Sequence, residues 1–312
     1  MIAYYKTVGG KVQQLAGKEE NCWINVVSPT ESEIKELIDV FGIEPEFLRA
    51  SLDEEESSHI ENEEDHTLII MDFPVVEKRE EGVFYSTSPI GIILLEKYLF
   101  TISLKENPII QEFCSGMVKN VQTAHRTQFV LHLLFRMANR FLQYLKQIDK
   151  VSDFLEKQLR KSMRNKELVQ LLDLEKSLVY FQTSLKSDET TLEKLLRGRY
   201  IKLYDDDQDL LEDVLIEIKQ AIEMSNIYLS ILSGTMDAFA SVISNNLNIV
   251  MKALTSITIV MAIPTMIFSF YGMNIGENVG LPFAGNYLFP LGISLVATVA
   301  AGIILYKKEM FR

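Results

Sequence analysis

The 312-residue chain has two cysteines, Cys22 and Cys114, too few for a disulfide framework or a cysteine zinc site and consistent with a reducing compartment. Both read as ordinary small core residues. There is no Walker A loop, no zincin helix and no dinucleotide-binding glycine pattern, so neither an enzyme nor an organic cofactor is expected. The four histidines, His59, His66, His125 and His132, form no ligand cluster by spacing. Net charge is −12, which removes the basic surface a nucleic-acid partner requires and is compatible with a cation partner. Residues 1–6, Met-Ile-Ala-Tyr-Tyr-Lys, lack the apolar core of a signal peptide, and the long region that follows is expected in the cytoplasm.

The most informative absence is charge near the C-terminus. Across 253–306 Glu277 is the sole charged residue, and it falls between two apolar spans, 253–270 and 288–306. Each span is close to the ~20 residues a helix needs to cross hydrocarbon. Lys252 precedes the first span and Lys307, Lys308 and Arg312 follow the second, whereas the link at 272–287 has no lysine or arginine. The positive-inside rule then places both termini in the cytoplasm and the link outside, so the chain is expected as a multi-pass protein of the cell (inner) membrane.

What precedes the spans divides by texture. In the first hundred residues, runs rich in β-branched and aromatic residues (2–8, 22–27, 67–76, 83–95 and 98–104) are punctuated by Gly9-Gly10, Gly82 and Glu96-Lys97. Between the second and third, Ser28-Pro29-Thr30-Glu31 reads as a capping box with proline at the first helical position, opening a helix that stops near Phe41-Gly42. These runs predict a cytoplasmic α/β domain with a mixed sheet over 1–125. From about Gln128 glycine and proline become scarce. Two helices, 128–164 and 166–197, are expected to pair as an antiparallel hairpin with a break near Met163-Arg164-Asn165. The acidic runs Asp53-Glu54-Glu55-Glu56 and 61–65 read as exposed loop or helix face.

A third helical stretch starts after Asp205-Asp206-Asp207 and meets no proline until Pro264. As one helix of about 60 residues it runs roughly 90 Å, too long to be hidden inside its own subunit. Its apolar seam (Leu211, Leu215, Ile218, Ile222, Ser225, Leu229, Leu232, Met236, Phe239, Ile243) steps by four and three, the period of a left-handed supercoil. The expected fold is thus α+β and membrane-bound: the α/β domain, a helical hairpin and stalk over 126–250, and a transmembrane hairpin over 251–312.

On another face runs a second register of mostly small or polar residues: Ser230, Gly234, Asp237, Ser241, Ser244, Asn248, Met251, Thr255, Thr258, Ala262, Thr265 and Ser269. Small and hydroxyl residues on a membrane helix serve close helix packing, but an amide and a carboxylate suit a dry seam poorly. A shared aqueous axis explains the whole stripe. One hairpin encloses no channel, so copies must surround the axis and present rings of identical side chains. Met251 and Leu254, near the inner mouth, suit an apolar constriction; interfacial packing accounts equally well for Leu254.

The link opens with Tyr271-Gly272-Met273-Asn274. Magnesium is small, prefers octahedral oxygen and gives up water reluctantly. A ring of Asn274 amides suits hydrogen bonding to the first-shell waters of an intact hydrated ion. Gly272 lets the backbone leave helical geometry, Tyr271 suits the interfacial belt, and Met273 is placed to pack against a neighbour.

Tyr-Gly-Met-Asn ending the first of two C-terminal membrane helices, after an acidic region and a very long helix, resembles the CorA family of divalent-cation channels. The likeness is strongest over 210–274, including Asn248-Ile249-Val250-Met251-Lys252-Ala253-Leu254-Thr255. The resemblance implies a homopentamer with a funnel-shaped cytoplasmic domain and a pore lined by the first membrane helix. It implies a selectivity filter at Gly272, Met273 and Asn274, with Asn248, Met251, Leu254 and Thr265 facing the pore. It likens Asp213 to an aspartate that helps hold regulatory magnesium between subunits, and Asp237 to a second family aspartate. Asp72 and Glu77 are candidates for the acidic partner of Asp213. The chain departs from many members at Ser269, in the place of Pro264 and in its weaker basic tail.

The function expected is influx of hydrated Mg2+ down its electrochemical gradient, gated by intracellular Mg2+ at inter-subunit carboxylates. Mg2+ is then both cargo and regulator, and the partners are other copies of the chain, the bilayer and divalent cations. Two rivals stay open. One is a Zn2+, Co2+ or Ni2+ transporter of the same fold, disfavoured by a stripe without cysteine or histidine. The other is a non-conducting, membrane-anchored coiled-coil scaffold.

Overall fold

The computed structural model describes residues 1–63, 66–79, 82–162, 165–198, 200–272 and 288–310. The chain forms two compact units, Met1–Gly234 and Thr235–Arg312. The first is built on seven strands: β1 (Ile2–Val8), β2 (Lys11–Leu15), β3 (Trp23–Val27), β4 (His59–Glu63), β5 (His66–Arg79), β6 (Gly82–Leu94) and β7 (Leu99–Ser103). They lie in the order β2-β1-β3-β7-β6-β5-β4. β3 and β7 pair in parallel, with Trp23 opposite Leu99, and the other neighbours pair antiparallel. The parallel pair is central, and its sequence shows why: Trp-Ile-Asn-Val-Val and Leu-Phe-Thr-Ile-Ser are apolar on both faces, as a strand covered on both sides must be.

Strand β4 corrects an expectation. Part of the acidic stretch read as exposed loop or helix face is the outermost strand, with Ile60 its one buried residue. A polar edge strand lacks the alternation that betrays an inner one, and its charge discourages pairing with another sheet.

Helices α1 (Glu31–Phe41) and α2 (Pro45–Ser51) cover one face, where Leu37, Phe41, Ile43, Phe47 and Leu48 meet Ile24, Val26, Ile70, Phe100 and Ile102. The capping box is present but two residues further on than expected. Thr30 is the N-cap, the Glu33 backbone N–H donates to Thr30 Oγ1 at 3.3 Å, and Thr30 N–H donates to Glu33 Oε2 at 2.8 Å. Pro29 therefore lies outside the helix. α2 sits so close to β6 that a Cβ on Gly91 would fall 1.9 Å from Ser51 Oγ, which restricts that position to glycine.

Against the other face, α3 (Pro108–Cys114) and α4 (Arg126–Ser162) enclose Trp23, whose ring meets those of Tyr5, Phe113 and Phe129 at centroid distances of 5.0–6.4 Å. Its indole N–H donates to Thr101 Oγ1 at 2.9 Å, giving the buried polar edge a partner. α4 and α5 (Asn165–Leu196) are the two helices expected as a hairpin; residues 163–164 of the expected break lie outside the described residues.

Helix α6 (Asp205–Tyr271) is continuous over 67 residues, with Pro264 inside it. Its seam from Leu211 to Leu232 does not await another copy. Leu211, Leu215, Ile218, Ile222, Ser225 and Leu232 are buried within this chain. Ser225 Oγ donates to the Leu178 carbonyl of α5 at 3.2 Å, and Lys219 pairs with Glu193 of α5 at 3.4 Å. Over this stretch the 3–4 spacing, the period of a left-handed supercoil, serves the packing of α6 on its own α5. The second unit consists of the rest of α6 and α7 (Leu288–Lys307), and both helices are long and apolar enough to cross a membrane.

Candidate ion pathway

In the second unit α6 has two dissimilar faces. Ala253, Ser256, Val260, Ile263, Ile267 and Tyr271 recur every three or four residues and are buried or half-buried. Tyr271 meets Phe289 of α7 edge-on with centroids 6.4 Å apart, and Ser256 Oγ lies 3.1 Å from the Met310 carbonyl. On α7, Pro290, Ser294, Ala297 and Ala301 are covered in the same rhythm, the small side chains that let membrane helices approach.

The predicted stripe occupies the other side. Asn248, Met251, Leu254, Thr255, Thr258, Ala262, Thr265 and Ser269 are all exposed, Met251 at 52% and Leu254 at 56%. At 3.6 residues per turn the two sets lie about half a turn apart. α7 therefore takes one face of α6 and leaves the rest uncovered, the hydroxyl-bearing stripe together with flanking apolar residues such as Ile257, Met261, Met266 and Phe268.

The threonines on that face are pre-oriented. Thr255 Oγ1 donates to Met251 O and Thr258 Oγ1 to Leu254 O, both at 2.8 Å, and Thr265 Oγ1 donates to Met261 O at 3.1 Å. With its proton turned back to the helix, each hydroxyl presents lone pairs outward. The waters around a metal ion point their hydrogens outward, so acceptors are what a hydrated cation meets favourably. At the far end, Gly272 N–H still donates to Phe268 O at 2.9 Å, continuing the helical pattern. Met273 and Asn274, with Glu277, lie outside the described residues.

The acidic candidates fall in different settings. Asp213 and Asp237 are exposed on α6, 24 positions and nearly seven turns apart. Glu77 is exposed on β5, 3.5 Å from Arg79. Among the described residues no three His, Cys, Asp or Glu side chains are grouped to hold a metal ion.

Asp72 is half-buried on β5, with its carboxylate held towards α5. Its backbone N–H donates to Asp188 Oδ1 at 3.0 Å, and Ser184 donates to its carboxylate. Asp188 is fully buried; Ser58 Oγ donates to the same Oδ1 at 2.6 Å, while Oδ2 has no hydrogen-bond partner. Burial, and then the Asp72 charge, hold the Asp188 carboxyl well above the usual carboxylate range. Burial raises Asp72 as well, against the opposing Ser184 hydrogen bond. The sequence carries one signal for this pair. Asp188 falls in the buried register of α5, between Leu185 and Leu192, where the 3–4 spacing calls for an apolar side chain.

The CorA-like Mg2+ transporter protein family matches residues 18–308 of the chain. The chain belongs to that family. A cobalt/magnesium transport protein CorA of Methanocaldococcus jannaschii is 29% identical over 295 residues, covering 93% of this chain and 89% of the relative. A magnesium transport protein CorA of Helicobacter pylori is 24% identical, covering 93% and 91%. The complete structure of the CorA magnesium transporter from Methanocaldococcus jannaschii superposes with a TM-score of 0.79 at 25% identity, covering 98% of this chain and 96% of that one. The α/β domain, long helix and C-terminal helix pair are thus the CorA fold, and the chain is a divalent-cation transporter of the membrane.

Proposed function

We propose that the protein is a channel for influx of hydrated Mg2+, formed by identical copies, five by family likeness, around the uncovered face of α6. The observation that carries this reading is that face itself: exposed, small and hydroxyl-bearing along Asn248–Ser269, on the side of α6 that α7 does not cover. Repeated around an axis it becomes a conduit lined by acceptors, narrowed by Met251 and Leu254 at the inner mouth. Asn274 amides, after Gly272 and Met273 in the outer link, select the ion through its water shell. Both termini face the cytoplasm. Inward movement of two charges gains about 4.6 kcal/mol per 100 mV, from ~2.3 per charge, and drives uptake without a nucleotide.

Closure is a property of the assembly. Exposed Asp213 and Asp237 repel their counterparts on neighbouring copies until a divalent ion bridges them, so internal Mg2+ favours the closed ring. Asp72 and Glu77 are retained as candidate partners of Asp213. The name of the Methanocaldococcus relative favours cobalt as a second cargo. A non-conducting scaffold is disfavoured, because its membrane helix needs no uncovered polar face.

The test uses purified full-length protein in liposomes loaded with a magnesium-sensitive dye. Uptake driven by an inside-negative potential is expected, with loss of at least about tenfold in Asn274→Ala, the scale of one lost charge-assisted contact. Unchanged uptake in that variant contradicts the filter, and competition by cobalt, nickel and zinc ranks the ions.

A further inference from the structure

Helix α7 ends in a complete Schellman turn. The Met310 N–H donates to Leu305 O and the Glu309 N–H to Tyr306 O, both at 3.1 Å. Glu309 adopts the left-handed conformation at φ 53°, a place where glycine is usual and an L side chain is strained. This turn consumes carbonyls near the helix end and aims the next one, that of Met310, at α6.

The group it meets is Ser256, which is fully buried. Ser256 Oγ lies 2.8 Å from Lys252 O and 3.1 Å from Met310 O, so its single proton is shared between the preceding turn of α6 and a carbonyl 54 residues away. The threonines of the stripe spend their protons on their own helix alone. Ser256 also follows Leu254 and Thr255 directly and points away from them, into the α6–α7 contact.

We propose that Ser256 is a positioning residue for the inner constriction, clasping the turn that ends α7 to α6 at the depth of Leu254. It touches no ion. By tying the cytoplasmic ends of the two helices together it makes them move as one body where the pore is narrowest. This rests on the channel reading for its effect on flux, but not for the clasp itself.

Two measurements on full-length protein separate the two. In lipid nanodiscs, Ser256→Ala is expected to speed amide exchange over 305–310 about fivefold, the value of one hydrogen bond, while peptides of the α/β unit are unchanged. In liposomes the same variant is expected to raise Mg2+ uptake roughly threefold, because the constriction loosens, whereas damage to folding lowers uptake. Ser256→Thr keeps the hydroxyl and is expected to restore both values. The proposal is overturned if alanine leaves exchange unchanged, if uptake stays level or falls, or if threonine behaves like alanine. Absence of uptake by the unsubstituted protein sinks the channel reading instead, and the exchange experiment then decides the clasp alone.

Discussion

Two stretches of one helix carry the same rhythm and opposite fates. From Leu211 to Leu232, α6 repeats every three or four residues and that repeat is buried on α5 of its own chain. From Asn248 to Ser269 a repeat of the same spacing is left uncovered, although α7 packs alongside. Periodicity states that a face has a partner; composition states which kind. Leucine and isoleucine in the first stretch find carbon within the subunit, each worth about 1.5–3 kcal/mol when fully buried. Threonine, serine and asparagine in the second gain less from carbon and suit water or the close approach of another polar surface.

The sharpest way to break this contrast is to place one charge in both stretches. Ile218→Asp buries a carboxylate without a counter-charge and is expected to cost the α/β unit about 3–5 kcal/mol, read as a fallen melting midpoint. Thr258→Asp, on the uncovered face, is expected to leave that midpoint unchanged. Equal losses at both sites erase the distinction.

A smaller effect is expected inside the α/β unit and depends on pH. The Asp188 and Asp72 carboxyls are raised in the folded state, so the folded protein holds protons that the unfolded chain has released. Stability is therefore greatest below the ordinary aspartate value of 3.8 and declines as pH rises towards the raised folded values. Asp188→Asn removes the ionisation and keeps an oxygen to accept from Ser58 and from the Asp72 backbone N–H. The variant is expected to gain about 1–2 kcal/mol at pH 8, where the buried carboxyl disfavours the folded state, and to lose the advantage near pH 4. Denaturant midpoints at the two pH values check the sign.

Smaller again is Thr30→Ala, which removes the capping box of α1 and is expected to cost about 1 kcal/mol by thermal melting. Smallest is Thr258→Ala in the stripe, for which uptake is expected to fall by less than about fivefold, since one acceptor among several rings is lost.

Most of the architecture was legible because it is written in long, uniform patterns. Five strands, the hairpin helices, the unbroken α6 and the membrane spans each carry a period or a composition that no other element shares. The two edge strands, β2 and β4, were not legible, because each polar run has one buried residue to declare it, Val12 and Ile60. The partner of the α6 seam was not legible for a different reason: a 3–4 repeat specifies a packed face without saying whose helix packs on it. The contacts of Asp72 are not legible locally, because they are made with Ser184 and Asp188, more than a hundred residues away. Nothing in the sequence singles out Ser256, since its acceptor at Met310 is set by the turn at Glu309. The stripe itself was visible from spacing alone, but only the packing of α7 on the opposite face distinguishes it from the hairpin contact.

The central claim is that the uncovered face of α6 borders water in the assembled protein. Cysteine substitution with a membrane-impermeant, water-soluble thiol reagent tests it most directly, in full-length protein whose Cys22 and Cys114 have been replaced by serine or alanine. Thr258→Cys and Thr265→Cys are predicted to be modified and to lose Mg2+ uptake on modification, while Val260→Cys and Ile267→Cys, on the α7 side, stay unreactive. Reaction at Val260 and Ile267, or none at Thr258 and Thr265 while uptake proceeds, contradicts the account.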